Sequence, residues 1–454
     1  MKKEENQLME KIVALCKRRG FIFPGSEIYG GLANSFDYGP LGVELKNNIK
    51  QLWWKKFVQE RDDMVGIDAA LIMNPKVWQS SGHLKNFSDP LVECKKCHHR
   101  FRADKIEGTK CPDCKGELTQ AQQFNLMLKT FLGPVESAHA GGEKNNEVYF
   151  RAETAQAMFV DFKNVLDSTR VKIPFGISQI GKAFRNEITP GNFIFRTREF
   201  EQMEIEYFIR PQKASSQNNT EQTQINAEEN DWEYWFEDWR KEMWSWMTDI
   251  LGLKKESIHE LEVPKDDLAH YSKKTIDFEY EFPFGKDELY GLAYRTDFDL
   301  RNHYKEEPYA DQETGEKFYP HVIEPTFGVD RSVLAVLSNA YQEEEERIVL
   351  KLKPSLAPYK AAIFPLVKNK PELVGKAKEV YAELRKDFRV TFDDRGNIGK
   401  RYYSQDEIGT PYCITVDYDT LENDDVTIRD RDTMKQERIK ISELKNYLLA
   451  KIYV

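Results

Sequence analysis

Four of the six cysteines fall into two C-x-x-C pairs, Cys94/Cys97 and Cys111/Cys114, each followed by turn residues. Four thiolates at this spacing can close a tetrahedral Zn²⁺ site with no open position, which points to structure rather than catalysis. Free thiols are the alternative, and the neighbouring His98 and His99 are read as exposed. Cys16 and Cys413 stand far apart and alone. A second chemistry lies in Phe184-Arg185-Asn186-Glu187, a turn (ITPGN), and Phe195-Arg196-Thr197-Arg198-Glu199-Phe200. A fixed guanidinium there could stabilise negative charge on a phosphate, and the rings could stack on a planar group. An ordinary hairpin with surface charges would contain the same residues, so F-R-x-E alone decides little. A third candidate is the run Val322 to Arg331, in which an apolar strand enters an apolar helix through Gly328, a residue that lets backbone approach a ligand closely. Glu153, Glu204 and Glu324, taken singly, read as solvated carboxylates.

These residues need a scaffold, and the sequence predicts one. After Pro40, Leu41, Leu45, Ile49, Leu52 and Trp53 recur at helical spacing, so this segment is expected to be an amphipathic helix. Residues 148–208 read as strands and turns, the second run alternating in part as a half-buried strand does. The polar stretch at 212–231 predicts an exposed insertion, and the Trp-rich segment after it predicts a helix packed on the body. From Ala361 onward strands alternate with helices, the pattern of a small α/β domain, with Pro354 and Pro358 marking the boundary. No internal repeat is visible.

Bulk properties narrow the class. The 454 residues carry a formal net charge of -10, which argues against a generally basic nucleic-acid coat while permitting a local basic face. Lys400 and Arg401 are candidates for that face. The first twenty residues have apolar positions at helical spacing and no continuous apolar core, so an amphipathic helix is expected rather than a signal peptide. Nothing approaches the ~20 apolar residues of a membrane span. Paired cysteines of this kind suit a metal in a reducing compartment, so the cytoplasm is the expected location.

Taken together, the motifs resemble those of class II aminoacyl-tRNA synthetases. The F-R-x-E hairpin ending in Phe200 resembles motif 2, the Val322–Arg331 strand-to-helix turn resembles motif 3, and the Pro40 helix with Pro75 beyond it resembles motif 1. Arg151-Ala152-Glu153-Thr154, FEQMEIEYF, GLAYRTDFDL and VIEP are more specific: they resemble the homodimeric glycyl-tRNA synthetases along essentially the whole chain outside the 212–231 insertion. The family usually has Pro at Ala152, Gly at Ala157 and Ser at Thr326.

The resemblance implies a mixed α+β catalytic domain on an antiparallel sheet over residues 1–354, a zinc-ribbon insertion at 94–114, a variable insertion at 212–260, and an α/β anticodon-binding domain over 355–454. It implies ATP-dependent activation of glycine to glycyl-adenylate, then transfer to the 3′ end of tRNA(Gly), with ATP as substrate, Mg²⁺ on the phosphates, structural Zn²⁺ and a homodimer. Arg185 and Arg331 are the implied catalytic residues. ATP contacts are implied for Arg185, Asn186, Glu187, Phe195, Arg196, Thr197, Arg198, Glu199, Phe200, Glu288, Leu289, Gly328, Val329, Asp330 and Arg331, and Glu288 could hold Mg²⁺. Glycine contacts are implied for Arg102, Glu153, Phe200, Glu201, Gln202, Met203, Glu204, Arg295, Glu324, Pro325, Thr326, Phe327 and Gly328. Within that set the three glutamates surround the ammonium, and Arg185 and Arg295 take the carboxylate end. A prolyl- or threonyl-type synthetase, or a non-catalytic RNA-binding paralogue, are the competing readings. The glutamate set argues against the first, and the retention of both Arg185 and Arg331 against the second.

Overall fold

The computed structural model describes residues 2–106, 108–133, 146–211 and 231–453. The polar segment expected at 212–231 therefore lies, apart from Asp231, outside the described residues. Two helices open the chain, α1 (Lys2–Arg19) and α2 (Pro40–Trp54). Pro40 occupies the first turn of α2, where a missing N–H costs nothing. Leu41, Leu45, Ile49 and Trp53 then bury one stripe, as their spacing predicts.

The catalytic layer is a seven-stranded sheet. Its strands are β1 (Met64–Gly66), β2 (Phe175–Phe184), β3 (Glu199–Ile209), β4 (Ile258–Glu262), β5 (Lys274–Phe282), β6 (Gly285–Thr296) and β7 (His321–Gly328). The spatial order is β4-β5-β6-β7-β3-β2-β1, antiparallel except for the β2–β1 pair at the edge.

Alternation decides what each face of this sheet does. In β3, Met203, Ile205, Tyr207 and Ile209 enter the core beneath the helices, while Gln202, Glu204 and Glu206 take the opposite face. In β7, Ile323 and Phe327 likewise enter that core, leaving Glu324 and Thr326 opposite. Register keeps the polar sets together: Glu204 pairs with Thr326, and Ala293 with Glu324. A slip of one residue would turn every carboxylate into the core, so the apolar face specifies the site's register.

Helix α2 and the Trp-rich helix α3 (Trp232–Ser245) cover the underside. Trp53 and Phe57 pack on Phe327 with ring centroids 5.7 and 5.3 Å away, and Trp239 packs on Phe57 at 5.9 Å. Each such pair adds ~0.5–1.5 kcal/mol beyond burial, here directly beneath the strand bearing Thr326. Helix α4 (Val329–Ala340) follows β7 through Gly328 and buries most of its length.

The second domain is a five-stranded sheet of β8 (Ala361–Pro365), β9 (Val390–Phe392), β10 (Tyr412–Val416), β11 (Asp425–Asp430) and β12 (Gln436–Lys440). Its first three strands are parallel, and α5 (Pro371–Leu384), α6 (Ile398–Glu407) and α7 (Leu444–Ile452) accompany the sheet. Arg401, expected on a basic face, is buried and donates to the carbonyls of Pro365 (2.6 Å) and Leu366 (3.2 Å). Lys400, its neighbour on the helix, is exposed.

Candidate active site

A cleft opens on the polar face of the sheet, bounded by β3, β5, β6, β7 and the 194–197 turn. One end is cationic and aromatic. Arg185, at the end of β2, donates from Nε to the Ala152 carbonyl (3.0 Å), and its guanidinium lies over the rings of Phe200 (5.2 Å) and Phe87 (5.4 Å). Arg331 is anchored to the Glu288 carbonyl (2.8 Å) and carboxylate (3.2 Å), with its guanidinium 4.5 Å from the Phe195 ring centre. Both arginines thus present a charged face to the cleft while the backbone fixes the stem. The Arg331 guanidinium holds the Glu288 carboxyl below its usual range. Burial, with Glu288 and Glu279 nearby, pushes Asp277 up to about 7. Two carboxylates and an arginine meeting in one cleft suit a divalent cation shared with phosphate oxygens. Asp277 carries no motif and was not foreseen.

The other end is a buried acidic floor. Glu153 accepts from Gln156 (3.0 Å) and faces His83 Nε2 at 3.3 Å. Burial opposes its ionisation, but His83 and Arg295 more than offset this and hold its carboxyl well below the usual range. Glu204 accepts from the Thr154 hydroxyl and from Thr326 Oγ1 (3.1 Å). Burial and the charge on Glu153 push Glu204 upward. Glu324 rises to about 8, because burial and the carboxylates of Glu204 and Glu153 outweigh Arg295. Thr326 therefore aims its hydroxyl at the Glu204 carboxylate from the wall of the cleft.

Arg295 is placed differently from the expectation. It is buried beneath the floor, donating to Glu324 (2.6 Å) and Asp299 (2.8 and 3.0 Å), with its plane 3.8 Å from the Tyr271 ring centre. Its charge holds Glu324 in position and is not turned into the cleft.

The remaining predicted residues divide by position. Glu187, Arg196, Thr197, Gln202, Leu289, Gly328 and Asp330 join Arg185, Phe195, Phe200, Glu288 and Arg331 around the cleft. Glu201 and Asp330 also serve a network under it: Lys46 reaches both at 3.0 Å, and Asp330 accepts the Glu201 backbone N–H at 2.8 Å. Met203, Phe327 and Val329 lie in the core on the far side of the sheet, and Pro325 shares their strand parity. Asn186 donates its N–H to the Leu126 carbonyl (2.8 Å), Arg198 accepts from the Arg185 N–H (2.9 Å), and Glu199 pairs with Lys182, so these three brace the hairpin. Arg102 is tied to Asp89 (3.0 Å) and Asp104 (2.8 Å) in the cysteine module, outside the cleft lining. His83, Glu206, Tyr271, Gln156 and Asp299 were missed. Glu206 was legible, since it lies two residues after Glu204 on the same strand face, and Gln156 and Asp299 sit in the RAETAQ and GLAYRTDFDL runs, whereas His83 and Tyr271 come from segments without a motif.

The cysteine module is a three-stranded sheet, Arg100–Arg102, Ser88–Glu93 and Gln122–Asn125, with the two C-x-x-C turns at one end. One sulfur from each of Cys94, Cys97, Cys111 and Cys114 lies within 4.8 Å of the other three. The Cys94–Cys114 and Cys97–Cys111 separations are 3.4 and 3.7 Å. A Zn–S length of ~2.3 Å requires sulfurs about 3.8 Å apart in a tetrahedron, so the four fit Zn²⁺. The N–H groups of Cys97 and Lys96 lower the Cys94 thiol, while the neighbouring thiols raise that of Cys97, so the sulfurs share protons that a metal would displace. His98 and His99 are exposed and turn to Glu93 and Asp113 instead.

Comparison with known proteins agrees with this architecture. The family described as the tRNA synthetase class II core domain (G, H, P, S and T) matches residues 138–340, and the anticodon binding domain matches residues 360–451. A glycine–tRNA ligase of Bacillus thuringiensis subsp. konkukian is 51% identical, covering 98% of this chain and 99% of its own. One of Clostridium acetobutylicum is 51% identical over 99% and 100%, and one of Clostridium tetani 52% identical over 98% of each. Likeness of this degree, running through both domains and not one alone, makes the chain a member of the glycine–tRNA ligase family of class II synthetases.

Proposed function

We propose that this cleft activates glycine with ATP to glycyl-adenylate, releasing pyrophosphate, and then passes the glycyl group to the 3′ end of tRNA(Gly). The observation that carries the reading is the union, on one sheet face, of the Arg185–Phe200 pair with the Glu153, Glu204 and Glu324 floor. In-line attack by the glycine carboxylate adds negative charge to the ATP α-phosphate. Arg185 is the group assigned to stabilise that charge and to hold the attacking oxygen, without reorganisation at the moment of reaction. Phe200 takes one face of adenine, and Arg331 serves the nucleotide from the opposite wall. When bound, Mg²⁺ would neutralise phosphate charge, and Glu288 with Asp277 would hold it. No protein nucleophile is needed.

Glycine offers no side chain to recognise. The ammonium is assigned to Glu153, Glu204 and Glu324, and Thr326 orients Glu204 while its methyl narrows the space an alanine side chain needs. A methylene that merely fits is worth only ~1–3 kcal/mol, so selectivity here rests on steric exclusion.

The remaining assignments follow. Cys94, Cys97, Cys111 and Cys114 would hold structural Zn²⁺, which keeps the turn pair folded. Residues 1–354 form the catalytic domain and 355–454 the anticodon-binding domain. The enzyme is assigned to the cytoplasm and to a homodimer built on α2; no described helix is long and apolar enough to cross a membrane. Pyrophosphate exchange measured side by side with glycine, alanine and serine tests the reading. Exchange driven by glycine alone is expected, and equal exchange with alanine would overturn the assignment of the floor.

A further inference from the structure

Glu206 lies two residues beyond Glu204 on β3 and does not reach the cleft lining. It is fully buried, and neither of its carboxyl oxygens has a hydrogen-bond partner among the described residues. Yet one carboxylate oxygen from each of Glu204, Glu206 and Glu324 lies within 4.8 Å of the other two. An orphaned polar group in a protein interior is costly, so this one is expected to serve a purpose.

The charges around it define that purpose. Glu204 shares its strand. Glu324 faces it from β7 and Arg295 from β6, while Asp299 approaches from the short helix Phe298–His303 after β6, and Glu153, in the segment before the Ala155 helix, acts on Glu204 and Glu324. The cations are Arg295, already bound to Asp299 and Glu324, and Arg151, whose charge acts on Glu204, while the His83 ring faces Glu153. Five carboxylates therefore crowd two guanidiniums at the buried end of the cleft. A fully ionised set cannot persist there.

Resting on the reading that this floor receives the glycine ammonium, we propose that Glu206 is a positioning residue. It is a neutral carboxylic acid whose O–H donates to a carboxyl oxygen of Glu324, before and after glycine binds, fixing the orientation of the groups that meet the ammonium. Burial, and the Glu324 carboxylate beside it, hold the Glu206 acid well above the usual carboxyl range. A carboxylic acid kept neutral in an apolar site is a good donor, and it adds no anion to a floor that already offers three carboxyl groups to one cation. Glu206 keeps its proton when glycine arrives; the ammonium displaces protons only from the carboxylates it touches.

The test compares full-length Glu206→Gln, Glu206→Leu and Glu204→Gln, with KM for glycine and for ATP measured by pyrophosphate exchange. Glu206→Leu is expected to raise KM for glycine several-fold, with KM for ATP unchanged. Glu206→Gln, which keeps a neutral donor, is expected to restore it to within about twofold. Glu204→Gln is expected to raise it by an order of magnitude. In infrared difference spectra on glycine binding, the carbonyl stretch of a protonated carboxyl, shifted by the ligand, should be present in the parent and absent in Glu206→Gln. If Glu206→Gln loses as much glycine affinity as Glu204→Gln, Glu206 is an anionic ligand and the proposal fails. If Glu206→Leu matches the parent, Glu206 positions nothing and the proposal fails. If Glu204→Gln leaves KM for glycine unchanged, the ammonium reading itself falls.

Discussion

Truncating Arg185 removes a guanidinium aimed at the charge that develops on the α-phosphate, and truncating Arg331 removes one held for the nucleotide by Glu288. Arg185→Ala and Arg331→Ala should each lower glycine-dependent pyrophosphate exchange by ~10²–10³-fold, the usual cost of one preorganised charge donor. Normal exchange by either folded variant would remove that residue from the mechanism. Thr326 tests the other end. Its hydroxyl donates to Glu204 at 3.1 Å, so Thr326→Ser should be mild, whereas Thr326→Val leaves a buried carboxylate short of a donor. The loss in kcat/KM for glycine should be about tenfold, equivalent to ~1–2 kcal/mol. A Thr326→Val enzyme as active as the parent would sink the role given to that hydroxyl. The floor also predicts a proton balance. Glu324 sits near 8 when the site is free, so at pH 7 it carries a proton, and a cation beside it favours the ionised form. Glycine binding should therefore release a proton at pH 7, release less as pH rises above about 8, and tighten between those values. Calorimetry in two buffers of different ionisation enthalpy measures this; Glu324→Gln should abolish the release.

At the scale of elements, the cysteine module and the ATP end share a root. Strand Gln122–Asn125 leaves the module and runs into Leu126 and Met127, which support Asn186 and bridge to Arg185. Cys97→Ser should thus release the metal and loosen the strand that seats Arg185, raising KM for ATP more than KM for glycine. Cys16→Ser and Cys413→Ser should leave the metal content unchanged, at about one zinc per chain by elemental analysis. No bound metal in protein never exposed to chelator would reject the site. The same scale explains what could be read without coordinates. The α2 stripe and the β3 alternation follow from short-range periodicity, which the chain states openly. A motif, by contrast, is a contiguous run, while a strand shows a site only alternate residues; Met203 and Phe327 were drawn into the glycine set by adjacency and lie in the core. Arg295 illustrates the other limit. Its partners are Asp299, four residues on, and Glu324 from the next strand, and only the β6–β7 register joins them. His83, on the short helix His83–Asn86, and Tyr271, in a turn, come from segments whose approach to the floor no local pattern records.

At the scale of the molecule, the two domains share a charged core. Asp406 at the end of α6 is fully buried between Arg347 of the catalytic domain (2.6 Å) and Arg429 of β11 (2.8 Å). Arg431 adds bonds from the second domain to the Leu352 carbonyl (2.7 Å), and α1 joins through Arg18 and Arg19 to Glu407. Lys360 ties the connecting turn by donating to the carbonyls of Ser355 (2.6 Å) and Ala357 (2.9 Å). This arrangement makes deletion of residues 355–454 a poor test of the anticodon domain. It would strip Arg347 of Asp406, leaving it only Glu344, and remove Ile408 from the catalytic core. A point change separates the roles better. Asp406→Ala leaves two arginines facing each other in the interior, a loss expected to cost ~3–5 kcal/mol of stability. Asp406→Asn keeps the shape and part of the hydrogen bonding, so it should loosen the joint while both domains stay folded. If the joint transmits the position of tRNA bound at the second domain to the cleft, Asp406→Asn should leave glycine-dependent pyrophosphate exchange within about twofold. Charging of tRNA should fall by about an order of magnitude, chiefly through KM for tRNA, since binding at the two domains would lose its effective concentration. Exchange and charging falling in equal proportion, at a temperature where circular dichroism shows the variant folded, would mean that the joint stabilises the molecule without orienting the RNA.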